Sequence, residues 1–183
     1  LAEKLAIDEN SIRGELRRQR GQKELQRPVA VQVKRSVDSK QMLAEETVLR
    51  QALEQPEHFS VIQASLTPEL FQDGPRRKVA ELIWKHYAAG ITPRPEDLLQ
   101  KLDDEAVKFL SRLTLEEGQG PEKDQALDDC IRIILLSRLN QEYESHRMLA
   151  DEMLRRGDLE YVQELMNVQR ILTKISDLSK SPG

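Results

Sequence analysis

A single cysteine, Cys130, leaves no partner for an internal disulfide, so packing alone must hold the fold. The same scarcity excludes an easy zinc site. Four ligands could be assembled only by recruiting all three histidines, His58, His86 and His146, around one thiolate. Aromatic residues are few, at one Trp, three Tyr and three Phe, and the chain is rich in Leu, Ala, Glu, Arg and Gln, which favours helices over sheet. No apolar run approaches the roughly 20 residues needed to span a bilayer, and the opening Leu-Ala-Glu-Lys lacks a signal-peptide pattern. The expectation is a cytoplasmic protein with no membrane association. Because the first residue is not Met, the chain is also expected to be a segment of something longer.

Charge is the next constraint. The net formal charge is -4, but Arg13 to Arg35 holds eight basic and two acidic side chains, a local +6, so the rest of the chain carries -10. An acidic body beside a basic connector is poorly suited to broad phosphate binding, which needs clustered Lys and Arg. Nucleic acid is therefore expected to touch the connector weakly, if at all.

Helical signals run along most of the chain. Leu1, Leu5, Ile7, Ile12 and Leu16 suggest two short helices around Asp8-Glu9-Asn10-Ser11. Gln22 to Val37 mixes Pro28, valines and charge without helical period, and reads as a linker; alternation of Val29, Val31 and Val33 leaves a short strand open. Asp38 followed by Gln41 forms a capping-box pattern, and Met42, Leu43, Val48, Leu49, Ala52 and Leu53 supply a helical stripe that Pro56 should end. A short helix with Phe59, Val61 and Ile62 comes next, then Thr67-Pro68-Glu69 as a candidate helix start. Asp73-Gly74-Pro75 leads into a helix in which Val79, Leu82, Ile83, Trp84 and Tyr87 are expected to carry the heaviest packing, with Gly90 as its stop. Leu98, Leu99 and Leu102 mark another short helix after Pro93 and Pro95. Asp103 or Asp104 restarts a helix containing Ala106, Val107, Phe109, Leu110 and Leu113.

From about Lys123 to Arg156 there is no Gly or Pro, which predicts one helix of about 50 Å. Ile131, Ile133, Ile134, Leu135 and Leu136 make it apolar nearly all round, whereas beyond Leu139 the apolar positions thin to Tyr143, Met148, Leu149, Met153 and Leu154. An all-round apolar stretch belongs in a core and an amphipathic one on a surface, so the helix should leave the bundle halfway. Arg155-Arg156-Gly157-Asp158 then has the chemistry of a tight reversal. Leu159, Val162, Leu165, Val168, Leu172, Ile175 and Leu178 recur every three or four residues, and are expected to lay a last helix against the outgoing one. The predicted fold is all-α, a bundle of about six helices continued by a long helix into a C-terminal helical hairpin.

Candidates for chemistry are thin. His86 sits beside Trp84 and Tyr87 as an interfacial histidine, while His58 and His146 read as surface residues. Cys130 has Ala126, Leu127, Ile133 and Ile134 one turn away, none able to activate a thiolate. The loop Gly118-Gln119-Gly120-Pro121-Glu122-Lys123 lacks the preceding strand and following Lys-Ser/Thr of a phosphate loop, and is flanked by Glu116, Glu117 and Asp124. Asp103-Asp104-Glu105 fits a helix start better than a cation site. Arg13, Arg17 and Arg18 could belong to half of a DNA-reading helix pair, though no third helix supports it. No catalytic residue, no metal ligand, no cofactor and no small-molecule ligand is expected.

Three blocks, in this order, resemble the C-terminal part of bacterial (DnaG-type) DNA primase. LAEKLAIDENSIRGELRRQ (1–19) is similar to the last helices of that family's RNA polymerase domain. AEETVLRQALEQPEHFSVI (44–62) resembles the opening of its helicase-binding domain, and LFQDGPRRKVAELIWKHYAAGITPRPEDLLQKL (70–102), with the long helix and terminal hairpin, resembles the remainder. The family's zinc-binding cysteines and acidic polymerase motifs have no counterpart in the sequence. The N-terminal domain of the DnaB-type replicative helicase also begins with an AE-x-x-VL block, which Ala44, Glu45, Val48 and Leu49 fit equally. The basic linker before that block and the hairpin after it favour primase.

The resemblance implies the end of a polymerase domain over 1–20, a basic linker over 21–37, a bundle subdomain over 38–138 and a helicase-docking hairpin over 139–183. It implies a non-catalytic module that recruits primase to the replication fork, at the bacterial nucleoid, by binding the hexameric replicative helicase. Single-stranded DNA-binding protein is a further candidate partner. On the hairpin, Met148, Leu154, Leu159, Tyr161, Val162 and Met166 are the candidate contacts, with Arg155 and Arg156 facing acidic groups. The alternative for several of these, Leu159 and Val162 above all, is that they only hold the two hairpin helices together. Two rival classes are a nucleic-acid-binding adaptor using the +6 linker and a self-associating structural protein.

Overall fold

The computed structural model of the protein describes residues 39–115 and 123–180. The described residues from Lys40 onward belong to one unit. Helix α1 spans 39–54; a 3-10 turn at Pro56–His58 runs into α2 (Phe59–Ser65), and a second turn, Pro68–Leu70, precedes α3 (Pro75–Ala88). After it come α4 (Pro95–Leu99), α5 (Asp104–Leu115), α6 (Lys123–Arg156) and α7 (Tyr161–Lys180). The architecture is all-α, with no strand among the described residues. The N-terminal helical pair with Arg13, Arg17 and Arg18, the linker with its strand alternative, the Asp38 cap and the loop at Glu116–Pro121 lie outside the described residues.

The stops obey local chemistry. Proline cannot donate into a helix ladder, and α1 ends just before Pro56. At the end of α3, Gly90 takes φ +72°, a region that strains L side chains. Its N–H donates to the Tyr87 carbonyl at 2.9 Å and the Ile91 N–H to the His86 carbonyl at 2.9 Å, so the last carbonyls find donors. Gly157 repeats the device after α6 at φ +73°: Gly157 N–H donates to Leu154 at 3.1 Å and Asp158 N–H to Met153 at 3.0 Å. Asp103 starts α5, its Oδ1 accepting the Ala106 N–H at 3.0 Å. Thr67 makes no such side-chain cap, and the Pro68–Leu70 segment it introduces is a single 3-10 turn.

One core serves α1 to α5 and the first half of α6. Val48, Leu49, Ile62, Leu66, Phe71, Ile83, Leu98 and Leu110 are fully buried, and Leu127, Ile131 and Ile134 of α6 join them. Each such side chain contributes about 1.5–3 kcal/mol by leaving water. On α3 the buried apolar positions are Val79, Ala80 and Ile83, whereas Leu82, Trp84 and Tyr87, expected to carry equal load, are only partly covered. The two aromatic residues instead form a lid with Phe59. Tyr87 stacks on Phe59 with centroids 3.7 Å apart, Trp84 meets it edge-on at 5.0 Å, and the Tyr87 hydroxyl donates to the Ala52 carbonyl at 2.7 Å.

Polar groups fasten α1 to its neighbours. Gln41, expected to reach back in a capping box, is buried and does something else: its Nε2 donates to Glu45 at 2.9 Å, and its Oε1 accepts the Ser137 hydroxyl of α6. Glu45 is fully buried and accepts the Gln72 backbone N–H at 3.1 Å, fixing the approach to α3. Burial raises its carboxyl above the usual range, against the opposing pull of Gln41, Gln72 and Arg76. Its neighbour Glu46 ends on the other side. Burial opposes its charge too, but hydrogen bonds from Arg112 and Arg76, each 2.7 Å, outweigh it and lower the pKa. Both guanidinium groups also lie over the Phe109 ring, at 5.7 and 5.3 Å from its centroid.

Candidate functional site

Beyond Ser137 the character of α6 changes as its sequence predicts. Of its residues past that point only Ala150 is buried, and on α7 only Ile171. The two helices pack along half-buried positions at alternating spacings of three and four: Tyr143, His146, Ala150 and Met153 on α6, and Tyr161, Glu164, Val168, Ile171, Ile175 and Leu178 on α7. That is the seam of an antiparallel coiled-coil pair. His146, read from sequence as a surface residue, lies within it. Its Nδ1 is 2.5 Å from Glu164 Oε2 across the hairpin, and this bond holds the Glu164 carboxyl below its usual pKa. The pairing ties α6 at His146 to the first turn of α7, and Ala150, one turn further along α6, is buried.

This seam corrects the sequence expectation for α7. Val162, Leu165 and Leu172, expected to face α6, are 49, 48 and 47% exposed. With Met166 at 44% they form a stripe at i, i+3, i+4 and i+10, and Gln169 between them adds no charge. Leu165 and Leu172 were absent from the expected contact set. Their apolar character was visible, but the sequence carries two overlapping stripes one residue apart on α7, and spacing alone does not choose the inward one.

The eight candidate contacts therefore separate. Val162 and Met166 share the α7 stripe. Leu154 (56% exposed), Leu159 (83%) and the exposed Arg155 and Arg156 cluster at the reversal, where Arg156 pairs with Glu152. Met148, two residues from both His146 and Ala150, points away from the seam on the back of α6. Tyr161 is half-buried on the seam side. Leu159 and Val162 both lie outside the half-buried seam, Leu159 the more exposed of the two. Arg155 and Arg156 close α6 at its negative end, so their charge also favours the helix.

Several other ionisable residues sit in local contacts of the bundle. The Cys130 thiol is half-buried, and burial pushes its ionisation up despite the nearby Thr47 hydroxyl, which opposes nucleophilic use. Asp103 pairs with Lys78 as well as capping α5. His58 Nδ1 lies 3.0 Å from Gln51 Oε1. No group of three His, Cys, Asp or Glu side chains among the described residues could hold a metal ion, and no described helix is long and apolar enough to cross a membrane. His86 is buried beside an open pocket at the end of α3. No protein-family model matches the chain, and no curated protein sequence does.

Proposed function

We propose that the chain is the non-catalytic, helicase-docking part of a bacterial primase, with the α6–α7 hairpin as its attachment. The observation that carries this reading is the α7 stripe of Val162, Leu165, Met166 and Leu172, each 44–49% exposed and outside the half-buried seam. Isolated surface hydrophobics are ordinary, but a contiguous apolar stripe on a projecting helix pair suits a groove or a second pair of helices that completes a bundle. Placing the seam on Ile171, Ile175 and Leu178 leaves the stripe free for a partner without loosening the hairpin. Leu159 and Leu154 extend the apolar surface around the reversal.

The test is binding of the intact chain to a purified hexameric replicative helicase, comparing wild type with Leu165→Ser/Met166→Ser and with Met148→Ser. The stripe variant should weaken binding at least tenfold, about 1.4 kcal/mol, while circular dichroism stays helical. Met148→Ser, on the opposite face of α6, should bind nearly as wild type. Equal loss from both substitutions would argue for a different face.

A further inference from the structure

A second site lies away from the hairpin, where α3 ends and the chain leaves α4. An open pocket of about 180 Å³ is lined by Leu82, Lys85, His86, Ala89, Ile91 and Lys101. It holds about six times the liquid volume of one water, room for the end of a small molecule rather than a drug-sized one. Its polar groups are all basic, and its other lining residues are aliphatic.

His86 is what makes this more than two surface lysines. The ring is 8% exposed, and Nδ1 lies 2.7 Å from the Leu82 carbonyl, which can only accept, so Nδ1 carries the proton. That leaves the Nε2 lone pair facing the Lys101 ammonium at 3.2 Å. His86 thus positions Lys101 over the pocket and uses one of its three donors, leaving two. Among the described residues no carboxylate pairs with Lys101 or with Lys85. The negative end of α3 opposes an anion, but its effect is about half a charge against two ammonium groups. The His86 and Tyr87 carbonyls are in any case already engaged by the Ile91 and Gly90 N–H groups.

We propose that this pocket binds a small aliphatic carboxylate, its oxygens taken by Lys101 and Lys85 and its hydrocarbon lying on Leu82, Ala89 and Ile91. The apolar lining favours a carboxylate on a short branched chain over a fully hydrated phosphate. Ile91, 54% exposed on its own, then has a partner.

Backbone NMR of the intact chain, titrated with sodium 3-methylbutanoate, tests this against sodium chloride and sodium phosphate at matched ionic strength. Saturable shifts confined to Lys85, His86, Ala89, Gly90, Ile91 and Lys101 are expected with the carboxylate alone. Lys101→Gln should weaken that binding about fivefold, the scale of one exposed ion pair, and Ile91→Ser should also weaken it. Both side chains are exposed, so the fold should tolerate the changes. Shifts no larger than with chloride overturn the site, and phosphate saturating the same residues as tightly overturns the ligand class. Undiminished binding by Lys101→Gln overturns the role given to the histidine-held lysine.

Discussion

The bundle and the hairpin share one helix and solve different problems with it. In its first half α6 is surrounded: Leu127, Ile131 and Ile134 enter a core where α1, α3 and α5 already bury Leu49, Ile83 and Leu110 completely. In its second half its partner among the described residues is α7, and only Ala150 is covered to the same degree. A two-helix pair has one seam, so any further apolar stripe faces outward. The bundle encloses most of its apolar residues, leaving Leu43, Val61, Ile91 and Leu115 scattered on its surface, whereas the hairpin leaves many of its apolar residues exposed. That surplus is the physical basis for reading the hairpin as a docking element.

The sharpest way to break this contrast is to cut into each region. Leu110→Ala should cost about 2–5 kcal/mol in a denaturant melt, because a fully enclosed side chain leaves a cavity behind. A loss below about 1 kcal/mol would mean that the bundle core is less closely packed than its burial indicates. The bundle's polar fastening comes next. Glu46→Gln should cost about 1–2 kcal/mol at neutral pH, since it keeps an amide acceptor but removes the carboxylate charge shared by Arg76 and Arg112, one of which is half exposed and screened. A carboxyl with a lowered folded pKa stabilises above its unfolded value, near 4.5, and this contribution disappears as pH falls through the folded value. The gap between the variant and wild type should therefore close in acid.

Glu45 should behave with the opposite sign and a smaller effect. Its folded pKa is raised, so its contribution is fully present below about 4.5 and is lost as pH rises through the folded value. Glu45→Gln keeps an acceptor for the Gln72 N–H, and Arg76 retains Glu46. The variant should match or exceed wild type in melting temperature at pH 7 and lose that advantage below pH 4.5. The smallest effect belongs to the hairpin surface. Leu165→Ser should change stability by no more than about 0.5 kcal/mol, and a larger loss would place Leu165 in the seam.

The bundle was readable because its signals are local and redundant. Pro56, Gly90 and Gly157 each end an element for a backbone reason, and the absence of Gly and Pro gave α6 its full span from Lys123 to Arg156. The hairpin surface was half readable. Apolar spacing showed that α7 is amphipathic but not which of its stripes turns inward, since that depends on contacts across the turn such as His146 with Glu164. Buried Gln41 and Glu45 were hidden for the same reason: their partners, Ser137 and Gln72, are distant in sequence. The pocket beside His86 joins residues 15 apart across two helix ends, and no spacing rule points to it.

The central claim, that the α7 stripe is a docking surface for a replicative helicase, is tested most directly by isothermal titration of the intact chain into the purified hexamer. Wild type should bind, and Leu165→Ser/Met166→Ser should bind at least tenfold more weakly with unchanged helicity and melting temperature. Equal affinity of the two chains, or no binding by either, would contradict it.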